Sequence, residues 1–363
     1  MIKFDITKEW LLLVPPELTS SQPAVSDLSR IIGLLRAQSR SPLPPPQVQD
    51  AAAPVDSQIP VIVLNAEQGA ASNGFSWRFG IGRIEIFAAS ERGLCNGIYD
   101  FLAALGVKWP KSGGETLPPP HPDHPLEYPL KSASAYQPSV KDPAQRRRLV
   151  ITRETPLKNR GALVIWAARN GIDALALPLW ERQSIGRSAG KIRGNRESLM
   201  NLAKQYAMHV EAGGWDLAGL VPRRNFFFRR EVFRMDEGKR IKQYNFCPTN
   251  PDTIGILKEE ARRRFQYWIG AKTEIFHLWP DRGAEHTWCS CPSCRAFSRE
   301  EQNRIAVNTA ADILAEINPE AAISYYENTE SANPADVSPR PNMFILQLLP
   351  GDEGAEKTGL FLA

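Results

Sequence analysis

The chain has 363 residues, 42% of them hydrophobic and 23% charged, which excludes extended disorder and fits two ordinary domains or one large one. Its 44 basic and 40 acidic side chains leave a net charge of +4, too even a balance for nucleic acid to be the main partner. Met1-Ile2-Lys3-Phe4-Asp5-Ile6 lacks a basic-then-apolar leader, and no apolar run is long enough to span a bilayer. The expectation is therefore a cytoplasmic protein with no membrane partner and with reduced cysteines.

In chain order, Ile2–Ile6 and Trp10–Val14 read as strands, and Leu28, Ile31, Ile32 and Leu35 line one face of a helix from Ser26 to Gln38. The Pro- and Ala-rich stretch Ser41–Pro54 reads as an exposed loop. Val61–Leu64, Phe75–Phe79 and Arg83–Phe87 are strands, the last two joined at Gly80-Ile81-Gly82 as a hairpin. Leu94, Ile98, Leu102 and Leu105 then share a helix face that Gly106 closes. The proline-rich segment Lys108–Pro129 reads as a linker, placing a small α+β domain at 1–128 and a second domain at 129–363.

Beyond the linker, strands and helices alternate. Leu149–Ile151, Asp173–Leu179, His209–Ala212, Glu274–Trp279, Ala321–Tyr326 and Met343–Leu349 read as strands. Helices are expected from Thr155-Pro156, over Arg196–Met208, from Asn250-Pro251, and from the capping box Ser298-Arg299-Glu300-Glu301. An irregular basic and aromatic insertion spans Trp215–Phe246, and Asp352–Ala363 reads as a loose tail. Apolar strands alternating with helices predict an α/β fold with a parallel sheet, and no glycine-rich phosphate loop follows any strand. The leading expectation is a (β/α)8-like TIM barrel, incomplete at its C-terminus, since about six strands are legible where closure takes eight.

Two segments carry a family resemblance. Arg92-Gly93-Leu94-Cys95-Asn96-Gly97-Ile98-Tyr99-Asp100-Phe101-Leu102, continuing to Leu105-Gly106-Val107-Lys108-Trp109-Pro110, resembles the end of the small domain preceding the barrel in α-glucuronidases and hexosaminidases. Asn245-Phe246-Cys247-Pro248-Thr249-Asn250-Pro251 and Trp288-Cys289-Ser290-Cys291-Pro292-Ser293-Cys294 resemble the DUF4838 family, which is similar to glycoside hydrolases. The resemblance implies hydrolysis of a glycan, with uronic-acid-containing glycans in view, and a carbohydrate as ligand. The alternative is a non-catalytic carbohydrate-binding or structural protein on the same scaffold. A homo-oligomer is compatible with either.

Glycosidases need two carboxyls flanking the scissile bond. Asp281 follows the strand counted as the fourth of the barrel, where the resemblance implies a general acid; the bland reading is a cap in the turn Pro280-Asp281-Arg282-Gly283. Glu327, ending the next strand, and Glu211, ending the third, are its candidate partners as base or nucleophile. Substrate-binding candidates are Trp279 and Trp215 (with Trp288) as stacking surfaces, His277 by strand alternation, and Arg223 in the basic insertion as a partner for a sugar carboxylate. Each has a competing role as core or as an insertion anchored by its Phe residues. Catalysis is expected to require no cofactor. Cys289, Cys291 and Cys294 have donor spacing suited to zinc, with His286 or Cys247 as fourth ligand; the alternative is a packed loop of thiols.

Overall fold

The computed structural model describes residues 2–15, 23–52, 56, 58–66, 74–80, 82–111, 113–120, 127–130, 133–136, 146–153, 155–180, 187–281, 287–326, 337–346 and 360–362. The chain divides into two compact units, one of Met1–Arg147, Leu157–Ala174 and Glu197–His209, the other of Arg148–Pro156, Leu175–Arg196 and Val210–Ala363.

The first unit contains β1 (Ile2–Asp5), β2 (Leu11–Val14), α1 (Pro23–Gln38), β3 (Gln47–Asp50), β4 (Val61–Ala66), β5 (Phe75–Gly80), β6 (Arg83–Ala88), α2 (Glu91–Ala104), β7 (Glu127–Leu130) and β8 (Ala133–Tyr136). Six of these strands form a mixed sheet in the order β3-β2-β4-β6-β5-β8. The β2–β3, β2–β4 and β4–β6 pairs are parallel, while β5 pairs antiparallel with β6 and β8. The expected hairpin at Gly80–Gly82 is the β5–β6 turn, with Gly80 opposite Arg83.

Helix α2 starts where Ser90 accepts a hydrogen bond from the Gly93 amide at 3.0 Å. It lies close against the sheet because Gly97 has no side chain: a Cβ there would sit 2.6 Å from Ile86 Cγ2. Arg92, on the same helix, is 2% exposed and donates to the carbonyls of Ile172, Ala168 and Tyr206 at 2.8, 3.0 and 3.1 Å. These acceptors offset part of the cost of burying its charge.

Two readings need correction here. Residues 47–50, read as loop, form β3. Among the described residues it is an edge strand paired with β2, and its exposed, polar residues carry no alternation to betray it. Within the expected linker, β7 pairs antiparallel with β1.

The second part of the chain contains β9 (Arg148–Ile151), α3 (Leu157–Arg169), β10 (Ala174–Leu177), α4 (Arg187–Gln205), β11 (His209–Gly214), β12 (Met235–Asp236), β13 (Lys239–Arg240), α5 (Pro251–Gly270), β14 (Ile275–Leu278), α6 (Arg299–Ile317), β15 (Ala322–Tyr325), β16 (Met343–Ile345) and β17 (Leu360–Leu362). Seven strands form one sheet in the order β16-β15-β14-β11-β10-β9-β17. The β11–β14, β14–β15 and β15–β16 pairs are parallel. This is the alternating α/β pattern expected, with β14 the fourth strand from β9 in barrel order. The tail reading is corrected at 360–362: these residues pair antiparallel with β9, Leu360 opposite Ile151. A three-residue apolar run is too short to be distinguished from coil by pattern.

Helix α5 begins at the N-cap Asn250, which accepts from Thr253 N at 3.2 Å, with Pro251 at its first position. Helix α6 has the expected capping box, Ser298 Oγ accepting from Glu301 N at 3.1 Å and Glu301 Oε2 from Ser298 N at 2.7 Å. Phe265 of α5 stacks edge-on against Phe276 of β14 at 4.8 Å, and Trp268 Nε1 donates to Leu179 O at 3.0 Å. No described helix is long and apolar enough to cross a membrane.

Candidate active site

Parallel α/β sheets expose their functional loops where the strands end. In the second unit a small cleft of about 110 Å³ lies at such strand ends. Its walls are Val150–Arg153 at the end of β9, Pro178 after β10, Gly213–Asp216 at the end of β11, and Asp281 after β14. Two acidic residues therefore line it, Asp281 and Asp216.

The end of β11 depends on glycine. Gly213 has φ +114°, and a Cβ there would lie 2.0 Å from the carbonyl oxygen of His277 on the neighbouring strand. The chain then turns so that Trp279 N donates to Gly214 O at 2.8 Å and Leu217 N to Trp279 O at 3.2 Å. This fixes Trp215 and Asp216 at the rim. Asp216 is 3% exposed; its Oδ2 accepts from Leu179 N at 2.7 Å, and its Oδ1 lies 3.4 Å from Arg153 Nη2. Both partners favour a carboxylate anion.

Asp281 is held by its backbone. Its amide donates to Asn245 Oδ1 at 2.9 Å, and Asn245 Nδ2 donates to the Asp281 carbonyl at 3.3 Å. The carboxylate is 30% exposed and lies 3.2 Å from Arg223 Nη2. Arg223 also donates to the carbonyls of Lys242 and Tyr244. It thus fastens the insertion to Asp281 as well as placing charge near the cleft.

Below the rim lies a buried polar chain. Glu211 is 1% exposed, and Arg148 Nε and Nη2 donate to it at 2.6 and 3.4 Å. His277, fully buried, lies with Nε2 2.9 Å from Glu211 Oε2 and Nδ1 2.6 Å from Ser324 Oγ. Trp279 Nε1 donates to the same Ser324 oxygen at 3.0 Å. One assignment satisfies every contact: neutral His277 donates from Nε2 to the carboxylate and accepts at Nδ1 from the serine hydroxyl. Burial would raise the Glu211 pKa, but the Arg148 charge and the His277 hydrogen bond outweigh it and hold it far below the carboxylate range. Burial lowers the His277 pKa despite the pull of Glu211.

The structure thus separates the residues singled out by sequence. Asp281 and Trp215 line the cleft. Glu211 and His277 belong to the internal chain and are not among the cleft's lining residues. Trp279 and Trp288 are 2% and 8% exposed; Trp215 packs edge-on to Trp279 at 4.6 Å. Glu327 and His286 lie outside the described residues. Asp216 was missed: it follows Gly213-Gly214-Trp215, and only the backbone reversal at those glycines points to a rim position.

A second constellation lies in the insertion and the loop before α6. Cys247, Cys289, Cys291 and Cys294 are all buried, and their sulfurs lie within 4.8 Å of one another. Sequence reasoning offered Cys247 or His286 as the fourth member; the described cluster has Cys247. Of the exposed aromatic residues in the insertion, Phe227 and Phe228 are 70% and 90% exposed. Phe233 and Phe246 are fully buried and anchor the insertion, and Phe226 packs edge-on to Phe233 at 5.3 Å.

No protein-family model matches the sequence, and no curated protein matches it. The resemblance to DUF4838 is accordingly not carried by any family match. Solved structures do match. The exo-β-N-acetylglucosaminidase of Vibrio harveyi, of glycoside hydrolase family 20, aligns at TM-score 0.53 and 13% identity over 97% of this chain and 56% of its own. The chitobiase of Flavobacterium johnsoniae aligns at TM-score 0.62 and 12% identity over 98% and 54%. The family-20 β-N-acetylhexosaminidase of Streptomyces coelicolor A3(2) aligns at TM-score 0.53 and 12% identity over 98% and 68%. The chain spans about half the length of the first two, 56% and 54%. The fold therefore resembles that of family-20 glycoside hydrolases, a mixed-sheet domain followed in the chain by the parallel strands and helices of part of a TIM barrel.

Proposed function

We propose that the chain hydrolyses a glycosidic bond, with Asp281 donating a proton to the leaving oxygen and Asp216 supplying the second carboxylate. The observation that carries this reading is the cleft itself: two acidic residues from different strand ends line one small opening at the C-terminal side of parallel strands. Asp216, fixed by an amide and an arginine, suits the role that stays ionised, either stabilising positive charge at the sugar or activating the attacking group. Asp281 is the more exposed of the two, and it takes the proton-donor role once substrate draws Arg223 away from its carboxylate, which the guanidinium otherwise favours as the anion. Trp215 offers an apolar surface for a sugar ring. Arg153 and Arg223 next to these acids favour a glycan bearing a carboxylate. The likeness to solved hexosaminidases supports the fold class and makes N-acetylhexosaminides equally worth assaying.

The test is turnover of a panel of aryl glycosides, including glucuronides and N-acetylhexosaminides, by the wild type, Asp281→Asn and Asp216→Asn. Activity in the wild type, lost by about two orders of magnitude or more in each variant with melting unchanged, supports the reading. Sugar binding by calorimetry with no turnover in any of the three leaves the carbohydrate-binding alternative in its place.

A further inference from the structure

We infer that Cys247, Cys289, Cys291 and Cys294 hold a structural zinc ion that fixes the loop carrying Asn245 against Asp281. The inference stands on the sulfur geometry and does not depend on the reaction proposed above. Cys247 Sγ lies 3.8 Å from Cys291 Sγ and 3.6 Å from Cys294 Sγ. A tetrahedral ion with sulfur ligands at about 2.3 Å separates them by about 3.8 Å. A disulfide needs one pair at about 2.05 Å, and all five cysteines of the chain are free. A cluster of several irons would hold its thiolates much farther apart than these.

Packing alone does not account for the group. Its members are four thiols with the partly buried Met235 against them, where a filled core would use aliphatic carbon. Hydrogen-bond donors are aimed at the sulfurs instead. Met235 N lies 3.2 Å from Cys289 Sγ, Arg240 Nη1 lies 3.8 Å from the same atom, and Thr249 Oγ1 is 3.1 Å from Cys294 Sγ. Four thiolates around a divalent ion carry two net negative charges, and such donors, with the guanidinium, neutralise part of that.

The ligands come from two loops, one ahead of α5 and one ahead of α6, with the β12–β13 hairpin closing the third side. Ser290 N and Oγ both donate to Met235 O at 2.8 Å, and Gln302 of α6 bonds the Cys289 amide and carbonyl. Two residues before Cys247, Asn245 makes its paired bonds to Asp281 and also donates to Thr287 O. An ion at the four sulfurs therefore ties the acid's backbone clamp to both helix starts.

The full chain, purified in reducing buffer without chelator, is analysed for zinc and iron by plasma mass spectrometry. The expected result is about one equivalent of zinc, released stoichiometrically into a colorimetric indicator when a mercurial titrates the thiols. Cys247→Ser and Cys294→Ser should lose it, while Cys95→Ser, altering the cysteine outside the group, should keep it. Zinc-stripped wild type should melt lower and exchange the Asn245 and Asp281 amides faster, a readout that holds even where a serine variant fails to fold. Metal-free protein, iron in place of zinc, a disulfide among the four on intact mass, or retention of zinc in Cys247→Ser would each overturn the inference.

Discussion

Replacing Glu211 by Gln separates a structural carboxylate from a catalytic one. Arg148 and Glu211 are 0% and 1% exposed, paired at 2.6 Å, and His277 spends its Nε2 on the same carboxylate. The amide keeps the shape but removes the negative charge that lies 2.6 Å from the buried guanidinium. Breaking a buried pair by removing one partner costs about 3 to 5 kcal/mol, of which the weakened bond to His277 is about 1 kcal/mol. Urea unfolding at pH 7, with hydrogen exchange followed at the β11 and β14 amides, measures the loss. Arg148→Met combined with Glu211→Leu should recover most of it, since a packed apolar pair avoids the desolvation cost. A Glu211→Gln protein that loses less than about 1 kcal/mol but no longer turns over substrate would refute the reasoning and return Glu211 to the catalytic pair.

Three further outcomes follow from the same geometry. Stability should fall as pH drops from 7 toward 4: His277 has a folded pKa below its ordinary 6.5 and Glu211 one far below 4.5, so the unfolded chain takes up protons first and each contribution, complete above those values, is lost on acidification. Urea midpoints across that range check it, and a flat profile would contradict the buried chain. Gly213→Ala should cost more than about 2 kcal/mol, from positive φ and the His277 carbonyl in the way, whereas Gly255→Ala, in α5 with nothing within 4 Å, should gain about 0.5 to 1 kcal/mol; equal melting temperatures for the two would show that the β11 turn is not constrained as described. Trp215→Ala should raise KM about 5- to 10-fold with kcat little changed, the loss of about 1 kcal/mol of ring contact, and a change confined to kcat would place Trp215 in another role.

Much of the scaffold was legible because its signals are local. The capping box at Ser298–Glu301, the Asn250-Pro251 helix start and the apolar run of β14 each lie within a few residues. Asp281 was legible as a polar residue ending such a run. What escaped depended on pairing across distance. The edge strand β3 has no pattern of its own, and β17 acquires strand geometry only by lying against β9. The partner of His277 is Ser324, set opposite it by the β14–β15 register, and a serine in an apolar strand carries no flag. Cys247, 44 residues from Cys291, could be offered only as one of two choices, with His286, for the fourth ligand. Asp216 was hidden for a different reason: its orientation follows from Gly213 and Gly214 at φ +114° and +150°, and backbone of that kind leaves glycines in the sequence without saying which neighbour they expose.

The claim that Asp281 protonates the leaving oxygen is tested most directly by leaving-group dependence. For a responsive family of aryl glycosides, kcat/KM of wild type and Asp281→Asn is measured against the leaving phenol's pKa. A proton donor predicts a loss of about two orders of magnitude or more for poor leaving groups, shrinking toward none for a dinitrophenol that departs without a proton. A loss of the same size for every leaving group would show that Asp281 does not deliver the proton.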